Sequence, residues 1–393
     1  MRIRMTGNMK IKELLVVFFY KVVGAPFRLF PIQKKRIVFE AYYGKGFEDS
    51  PSVIASELAK QGIDGLEMIW LVRKIEDAKS LPLNIRPIKR FSLAELYYIS
   101  TAKVWIDNCR KNRGIVKRKN QYYIQTWHGG LGAKKVEKDA VDSLSPGYVK
   151  NAIHDSKIAD LFLSGSRWET DLFRKSFWYD GEVLEEGLPR NDIFFRANDS
   201  IIKKVRLFYQ LDNNVKIAIY APTFRQSETV YCYDLDYEKV LGELSVNWGN
   251  KWVILIRMHP SAMILQHEFK YSEGILNGSL YPEMNDLIIA SDLLISDYSS
   301  CMFDAMLVNK RVIRYASDIK LYSAERGFYF DYDELPFPLA ENNDEMSVCI
   351  RNYDYNMQID RQCQFLQACG SVECGVAAKK ITSRILERMD CNG

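Results

Sequence analysis

Short apolar runs, rich in β-branched and aromatic residues, alternate with stretches of helical period along most of this chain. The runs at Arg36–Tyr42, Glu67–Val72, Lys103–Ile106, Tyr122–Thr126, Leu161–Ser164 and Val183–Glu186 predict strands. Helical spacing at Ser52–Gln61, Ser92–Ser100, Pro146–Lys157 and Arg167–Phe177 separates several of them. Short strands alternating with helices predict βαβ units and a parallel sheet. The pattern then restarts. A helical stretch at Asn198–Tyr209 precedes strands at Val215–Tyr220, Trp252–Ile256, Leu293–Ser296 and Arg311–Tyr315. Helices are predicted at Asp236–Leu244, Asn285–Ser291 and Ser300–Leu307, and the tail from about Asp344 to Met389 reads as mostly helical. The expected fold is α/β, with two Rossmann-like domains and a helical C-terminal tail. Ligands of such sheets sit at the carboxyl ends of the strands. With a boundary near 197–214, the expected parts are a basic N-terminal segment 1–35, a first domain 36–205, and a second domain 206–393 that includes the tail.

Composition narrows the class. The 393 residues are 47% hydrophobic and 26% charged, which excludes a disordered chain, a collagen and a coiled coil. Eight cysteines without a CxxC pair exclude a small disulfide scaffold and suit a reducing compartment. A net charge of +4 gives no reason to expect nucleic acid as a partner. No run approaches the ~20 apolar residues that a membrane span needs. Charge is nevertheless uneven. Before residue 36, basic residues outnumber the single acid Glu13 and flank the apolar run Leu14–Tyr20. Lys21 and Arg28 break that run, so it reads as an amphipathic helix suited to the surface of an anionic membrane. A second cluster, Arg110, Lys111, Arg113, Lys117, Arg118 and Lys119 with Lys134, Lys135 and Lys138, is expected to form a basic patch beside His128.

Six places where polar or glycine-rich residues follow a strand or turn are candidates for chemistry. Gln125-Thr126-Trp127-His128-Gly129-Gly130 places a histidine before two glycines, where a ligand can approach the backbone and an imidazole can serve as base. Arg257-Met258-His259-Pro260 offers Arg257 and His259 to phosphate oxygens. Ser296-Asp297-Tyr298-Ser299-Ser300 runs into a helix, whose N-terminus attracts anions and which Ser299 or Ser300 would cap. Tyr220-Ala221-Pro222-Thr223-Phe224-Arg225 supplies Arg225, and Glu325-Arg326-Gly327 supplies Arg326, as cations for phosphate. Gly187-Leu188-Pro189-Arg190-Asn191-Asp192 ends the first half. A P-loop, a GxSxG elbow, an HExxH zinc site and a clear GxGxxG are missing. No DxD-like pair stands at a strand end, so no metal site is expected and no cofactor is required. A loosely bound divalent cation stays compatible with the sequence.

Taken in order, these segments resemble the CDP-glycerol glycerophosphotransferase family of teichoic acid primases and polymerases. The resemblance covers roughly 120–335. One departure is Gly130, where the family more often has threonine. The resemblance implies a GT-B fold with an interdomain cleft. It implies transfer of glycerol phosphate, or ribitol phosphate, from CDP-glycerol or CDP-ribitol to a hydroxyl of a polyprenyl-linked acceptor or a growing teichoic or capsular polymer, releasing CMP. His128 then looks like the general base and His259 like a second catalytic residue. His259 and Arg326 would hold the donor pyrophosphate, with Arg225, Arg257, Asp297, Ser299 and Ser300 on the donor side. Gly129, Gly130, Pro189, Arg190, Asn191, Asp192 and Thr223 would line the cleft. A lipid-linked acceptor makes a peripheral enzyme on the cytoplasmic face of the membrane the expected setting. A nucleotide-sugar glycosyltransferase of the same fold is the rival reading, and the oligomeric state stays open.

Overall fold

The computed structural model describes residues 7–223, 225, 233–258 and 269–390. They form two compact units. The first comprises the chain up to Gly129, Val136–Asp192 and the chain from Val372; the second comprises Gly130–Lys135 and Ile193–Ser371.

In the first unit the order is α1 (Gly7–Phe18), β1 (Gln33–Glu40), α2 (Asp49–Lys60), β2 (Glu67–Val72), β3 (Ile85–Lys89), α3 (Leu93–Thr101), β4 (Ala102–Asp107), β5 (Tyr122–Gln125), α4 (Pro146–Ile158), β6 (Leu161–Ser164), α5 (Arg167–Ser176) and β7 (Glu182–Glu185). All strand pairs are parallel, in the sheet order β3-β2-β1-β4-β5-β6-β7. The central strands are apolar on both faces because both faces are covered. Ile37, Phe39, Val104 and Ile106 enter one core, and the alternate residues Val38 and Trp105 enter the other.

The second unit runs α6 (Asp199–Phe208), β8 (Lys216–Ala221), α7 (Tyr237–Trp248), β9 (Trp252–Ile256), β10 (Ile275–Asn277), α8 (Met284–Ala290), β11 (Leu293–Ser296), α9 (Cys301–Met306), β12 (Arg311–Tyr315), α10 (Ile319–Arg326), β13 (Leu339–Ala340), α11 (Asn343–Arg351) and α12 (Tyr355–Ala368). Its parallel sheet has the order β10-β9-β8-β11-β12-β13. Counted from its own first strand, each sheet has the doubly wound order, with a topological switch point at β1/β4 and at β8/β11.

The α/β architecture and helical C-terminal region agree with expectation. The last helix, α13 (Ala377–Asp390), lies elsewhere than the sequence division at 205/206 puts it: it belongs to the first unit. Its residues Ile381, Ile385 and Met389, four apart, enter the core with Ile37, Ile54 and Leu58. Helical periodicity identifies the apolar stripe but not the sheet it covers. Strands β3, β10 and β13 were not expected. β3 carries Pro87, and an edge strand tolerates it; β10 and β13 are too short to show a period.

Candidate active site

At the carboxyl edge of the first sheet, the neighbours β1, β4 and β5 end side by side. The Thr126 N–H donates to the Asp107 carbonyl at 2.8 Å, so the chain leaving β5 still follows β4. His128 then turns so that its Nδ1 lies 2.7 Å from the carbonyl oxygen of Asn108. A carbonyl oxygen only accepts, so Nδ1 carries the proton and Nε2 keeps the lone pair of the neutral ring. The imidazole packs against Trp127, with centroids 4.2 Å apart, and meets the Tyr42 ring edge-on at 6.0 Å. The Tyr42 N–H donates to Asn108 Oδ1 at 2.8 Å, and its hydroxyl donates to Asp49 Oδ2 at 2.5 Å.

Backbone strain collects around this histidine. Tyr42, Tyr43, Asp49 and Trp127 have φ of 44°, 58°, 60° and 55°, a region unfavourable to bulky residues. Such conformations cost of order 1–3 kcal/mol each and concentrate at functional sites. Burial pushes the His128 imidazole below its ordinary value near 6.5; the Asn108 carbonyl and Asp49 oppose this, while Arg190 reinforces it. The ring is therefore neutral at pH 7.

The loop Gly187–Asp192 divides its work. Arg190 approaches the histidine turn: its Nη1 donates to the His128 carbonyl at 3.4 Å, and its Nε is 4.0 Å from Asp49 Oδ2. Asn191 and Asp192 do other things. Asn191 Nδ2 donates to Glu373 at 2.8 Å, and Glu373 also accepts the Leu188 N–H. Asp192 caps α13 by accepting the N–H groups of Ala377 and Ala378, both at 2.9 Å. Pro189 starts the short 3₁₀ helix Pro189–Phe195 that carries these residues.

Gly129 closes the first stretch of the first unit, whereas Gly130 opens a segment of the second. That segment pairs with the chain beyond α10: Lys135 N–H donates to the Gly327 carbonyl at 3.1 Å, and Tyr329 N–H to the Ala133 carbonyl at 2.7 Å. Arg326 ends α10, and Gly327 follows with φ of 68°.

In the second unit β8 and β11 are adjacent, and Asp297 stands immediately past β11. It accepts the N–H of Thr223 at 2.8 Å, the N–H of Tyr298 at 2.5 Å and Arg225 Nη2 at 2.8 Å. Arg225 also donates to Asp318 from Nε and Nη2, at 2.7 and 2.9 Å, and stacks over the Tyr298 and Tyr322 rings. These carboxylates raise its pKa against the opposing effect of burial. The Thr223 hydroxyl is buried without a hydrogen-bond partner among the described residues. Ser299 Oγ accepts the Cys301 N–H at 3.4 Å, and Ser300 occupies the N-cap of α9 with no side-chain capping bond. Arg257 donates to the carbonyls of Gly278, Tyr281 and Pro282. Its guanidinium thus bonds loop carbonyls, whereas that of Arg225 bonds the Thr223 carbonyl and two carboxylates. His259 lies outside the described residues.

Part of the expected basic patch beside His128 is withdrawn from the surface, while Lys119 and Lys138 stay exposed. Arg110 is buried against Glu137 and Asp155, and Lys111 against Asp107. Lys117 pairs with Asp160, and Arg118 donates to the Phe30 and Ser100 carbonyls. The chain leaving β4 runs through the interior, so neighbouring cations meet buried acids. Among the described residues no group of three or more His, Cys, Asp or Glu side chains is arranged to hold a metal ion.

The family model of CDP-glycerol:poly(glycerophosphate) glycerophosphotransferases matches residues 24–387. A teichoic acid poly(glycerol phosphate) polymerase of Bacillus spizizenii is 30% identical, over 96% of this chain and 98% of its own. One of Staphylococcus epidermidis is 32% identical over 89% of this chain, which spans about half of that relative's length. A solved structure of the wall teichoic acid polymerase TagF, a histidine-to-asparagine variant soaked with CDPG, superimposes with a TM-score of 0.82 at 27% identity, covering 98% of this chain and 99% of that one.

Proposed function

Because the chain belongs to the CDP-glycerol:poly(glycerophosphate) glycerophosphotransferase family, we propose that this transferase moves glycerol phosphate from CDP-glycerol to a hydroxyl of a polyprenyl-linked acceptor or growing teichoic polymer. The observation that carries the reading is the His128 imidazole, with Nδ1 committed to the Asn108 carbonyl and Nε2 left as its proton acceptor. Nε2 takes the acceptor hydroxyl proton. The oxygen attacks the phosphorus that bears glycerol, the bond from that phosphorus to the bridging oxygen breaks, and CMP leaves. Such a transfer depends on alignment, a base and charge stabilisation rather than on a covalent intermediate. On the donor side we assign Ser299 and Ser300, with Arg326 and His259, to the phosphates; Arg225, Arg257 and Asp297 keep the loops around them in place. Arg190 and Thr223 stand beside the two sets.

The proposed setting is the cytoplasmic face of a membrane, without a span: no helix of the described residues is long and apolar enough to cross one. Residues 11–30 support a peripheral contact. Val16, Phe19 and Val23 pack on the core that Val38 and Trp105 enter, while Ile11, Leu14, Leu15, Phe18 and Leu29 are exposed beside the exposed Lys12 and Lys21. One anchored side and one apolar side with basic flanks suit an anionic bilayer surface.

The test is CMP release from CDP-glycerol with a polyprenyl-linked acceptor ending in glycerol phosphate. His128→Ala is expected to lower turnover by about 10²–10⁴-fold with an unchanged circular dichroism spectrum; full activity removes the base assignment. Release from CDP-ribitol alone would reassign the donor, and turnover of a nucleotide sugar alone would select the glycosyltransferase reading. Leu14→Glu combined with Phe18→Glu is expected to weaken co-sedimentation with phosphatidylglycerol vesicles at least tenfold; unchanged binding excludes this segment as the contact.

A further inference from the structure

We infer that Asn108 is the positioning residue for His128, holding the ring through its backbone carbonyl and requiring a neutral carboxamide side chain beside it. The inference rests on the reading of His128 as base. Asn108 is fully buried and stands one residue past β4, between the chain leaving β1 and the chain leaving β5. It serves both neighbours. Its Oδ1 accepts the Tyr42 N–H at 2.8 Å, which holds Tyr42 in its left-handed conformation and sets the ring edge against the imidazole. Its carbonyl accepts the imidazole Nδ1–H at 2.7 Å. Asp107 steadies the peptide from the other side by accepting the Cys109 N–H at 2.9 Å. The residue thus sets the tautomer, the ring plane and the turn that packs on the ring.

The second sheet shows why the amide matters. There Asp297 also stands one residue past the strand after the switch point, and it accepts the N–H of the second residue past β8 at the same 2.8 Å. An aspartate can therefore make this bond. In the first unit it would add a carboxylate next to the base, where the charged groups acting on the ring are Asp49 at the start of α2, Arg190 in the loop after β7, and Glu137. An added negative charge favours imidazolium, which cannot accept the acceptor's proton.

Three variants, each as the full chain, test this. For Asn108→Asp, the acid limb of kcat is expected to move up by about one pH unit, with the Michaelis constant for CDP-glycerol within about twofold. For Asn108→Ala, kcat is expected to fall by about 10–100-fold at its pH optimum, with the same constant again little changed. ¹⁵N-histidine NMR, with His128 assigned by its loss in His128→Ala, reads the ring directly: the Nδ1–H tautomer should dominate in the parent and lose dominance in Asn108→Ala, and the titration should move up in Asn108→Asp. If Asn108→Ala does not fold, Asn108→Asp, which keeps the Tyr42 bond, still decides. Unchanged tautomer, titration and acid limb in both variants overturn the inference. An active His128→Ala instead overturns the base reading, while the NMR arms still judge whether Asn108 positions the ring.

Discussion

The carboxyl edges of the two sheets share one hydrogen bond and differ in one charge. At β1/β4 the Tyr42 N–H meets the amide oxygen of Asn108; at β8/β11 the Thr223 N–H meets the carboxylate of Asp297. The doubly wound order leaves a gap between loops that diverge to opposite faces, and a side-chain acceptor closes it in both places. The amide carries no charge, and beside it a histidine stays neutral. The carboxylate needs a cation, and Arg225 supplies it while bonding Asp318 and stacking on two tyrosines. The same geometry therefore serves two ends. The first edge keeps a base free of negative charge; the second is a braced platform from which Ser299 and Ser300 emerge.

The most severe way to break the comparison is to remove the charge where it is compensated. Asp297→Asn leaves buried Arg225 with one carboxylate and turns an amide N–H₂ toward the guanidinium or the Thr223 N–H. A loss of about 2–4 kcal/mol is expected from the shift of the urea transition. The reverse exchange, Asn108→Asp, retains its hydrogen bond but buries a carboxylate with no cation supplied for it, so a loss of about 2–4 kcal/mol is expected from the same measurement at neutral pH. A loss below about 1 kcal/mol would mean that charge is not what separates the two edges.

A smaller effect sharpens the first edge. Burial lowers the folded-state pKa of His128 below 6.5, so activity should rise with pH through a midpoint below that value. The unfolded chain binds this proton more readily. The stability contributed by the neutral ring is thus present above about pH 6.5 and is lost as pH falls through the depressed value. An acid limb above 6.5 would show that Asp49 outweighs burial.

Much of this was legible in the chain. Strands such as Glu67–Val72 and Leu293–Ser296 were readable because central parallel strands are short apolar runs. Histidine before two glycines at a strand end marked the His128 turn. What stayed hidden is non-local. Nothing around Asp107-Asn108-Cys109 signals that an amide spans two loops, because its partners lie 66 and 20 residues away. The left-handed conformations of Tyr42 and Asp49 carry no glycine to announce them. Sequence adjacency made Arg110 and Lys111 look like a surface patch, although their charges are matched by acids brought in from β1, α4 and the segment around Glu137. The pairing of Arg225 with Asp318 is hidden in the same way, because the two lie 93 residues apart.

The smallest effect concerns how the chain closes the first unit. Asp192 receives two N–H groups from the first turn of α13, a carboxylate capping a helix that begins 185 residues later. An ordinary cap contributes about 1 kcal/mol, and a charged acceptor for two donors somewhat more. Asp192→Ala should therefore cost about 1–2 kcal/mol. The loss should be local at first, because Ile381, Ile385 and Met389 still hold the later turns of α13 in the core. Hydrogen exchange should accelerate at Ala377 and Ala378 before it does along β1 and β4. Acceleration at α11 or α12 instead would mean that the tail is braced by the second unit. Confined to the start of α13, it would show that the chain returns after the second unit to cover the core of the first sheet.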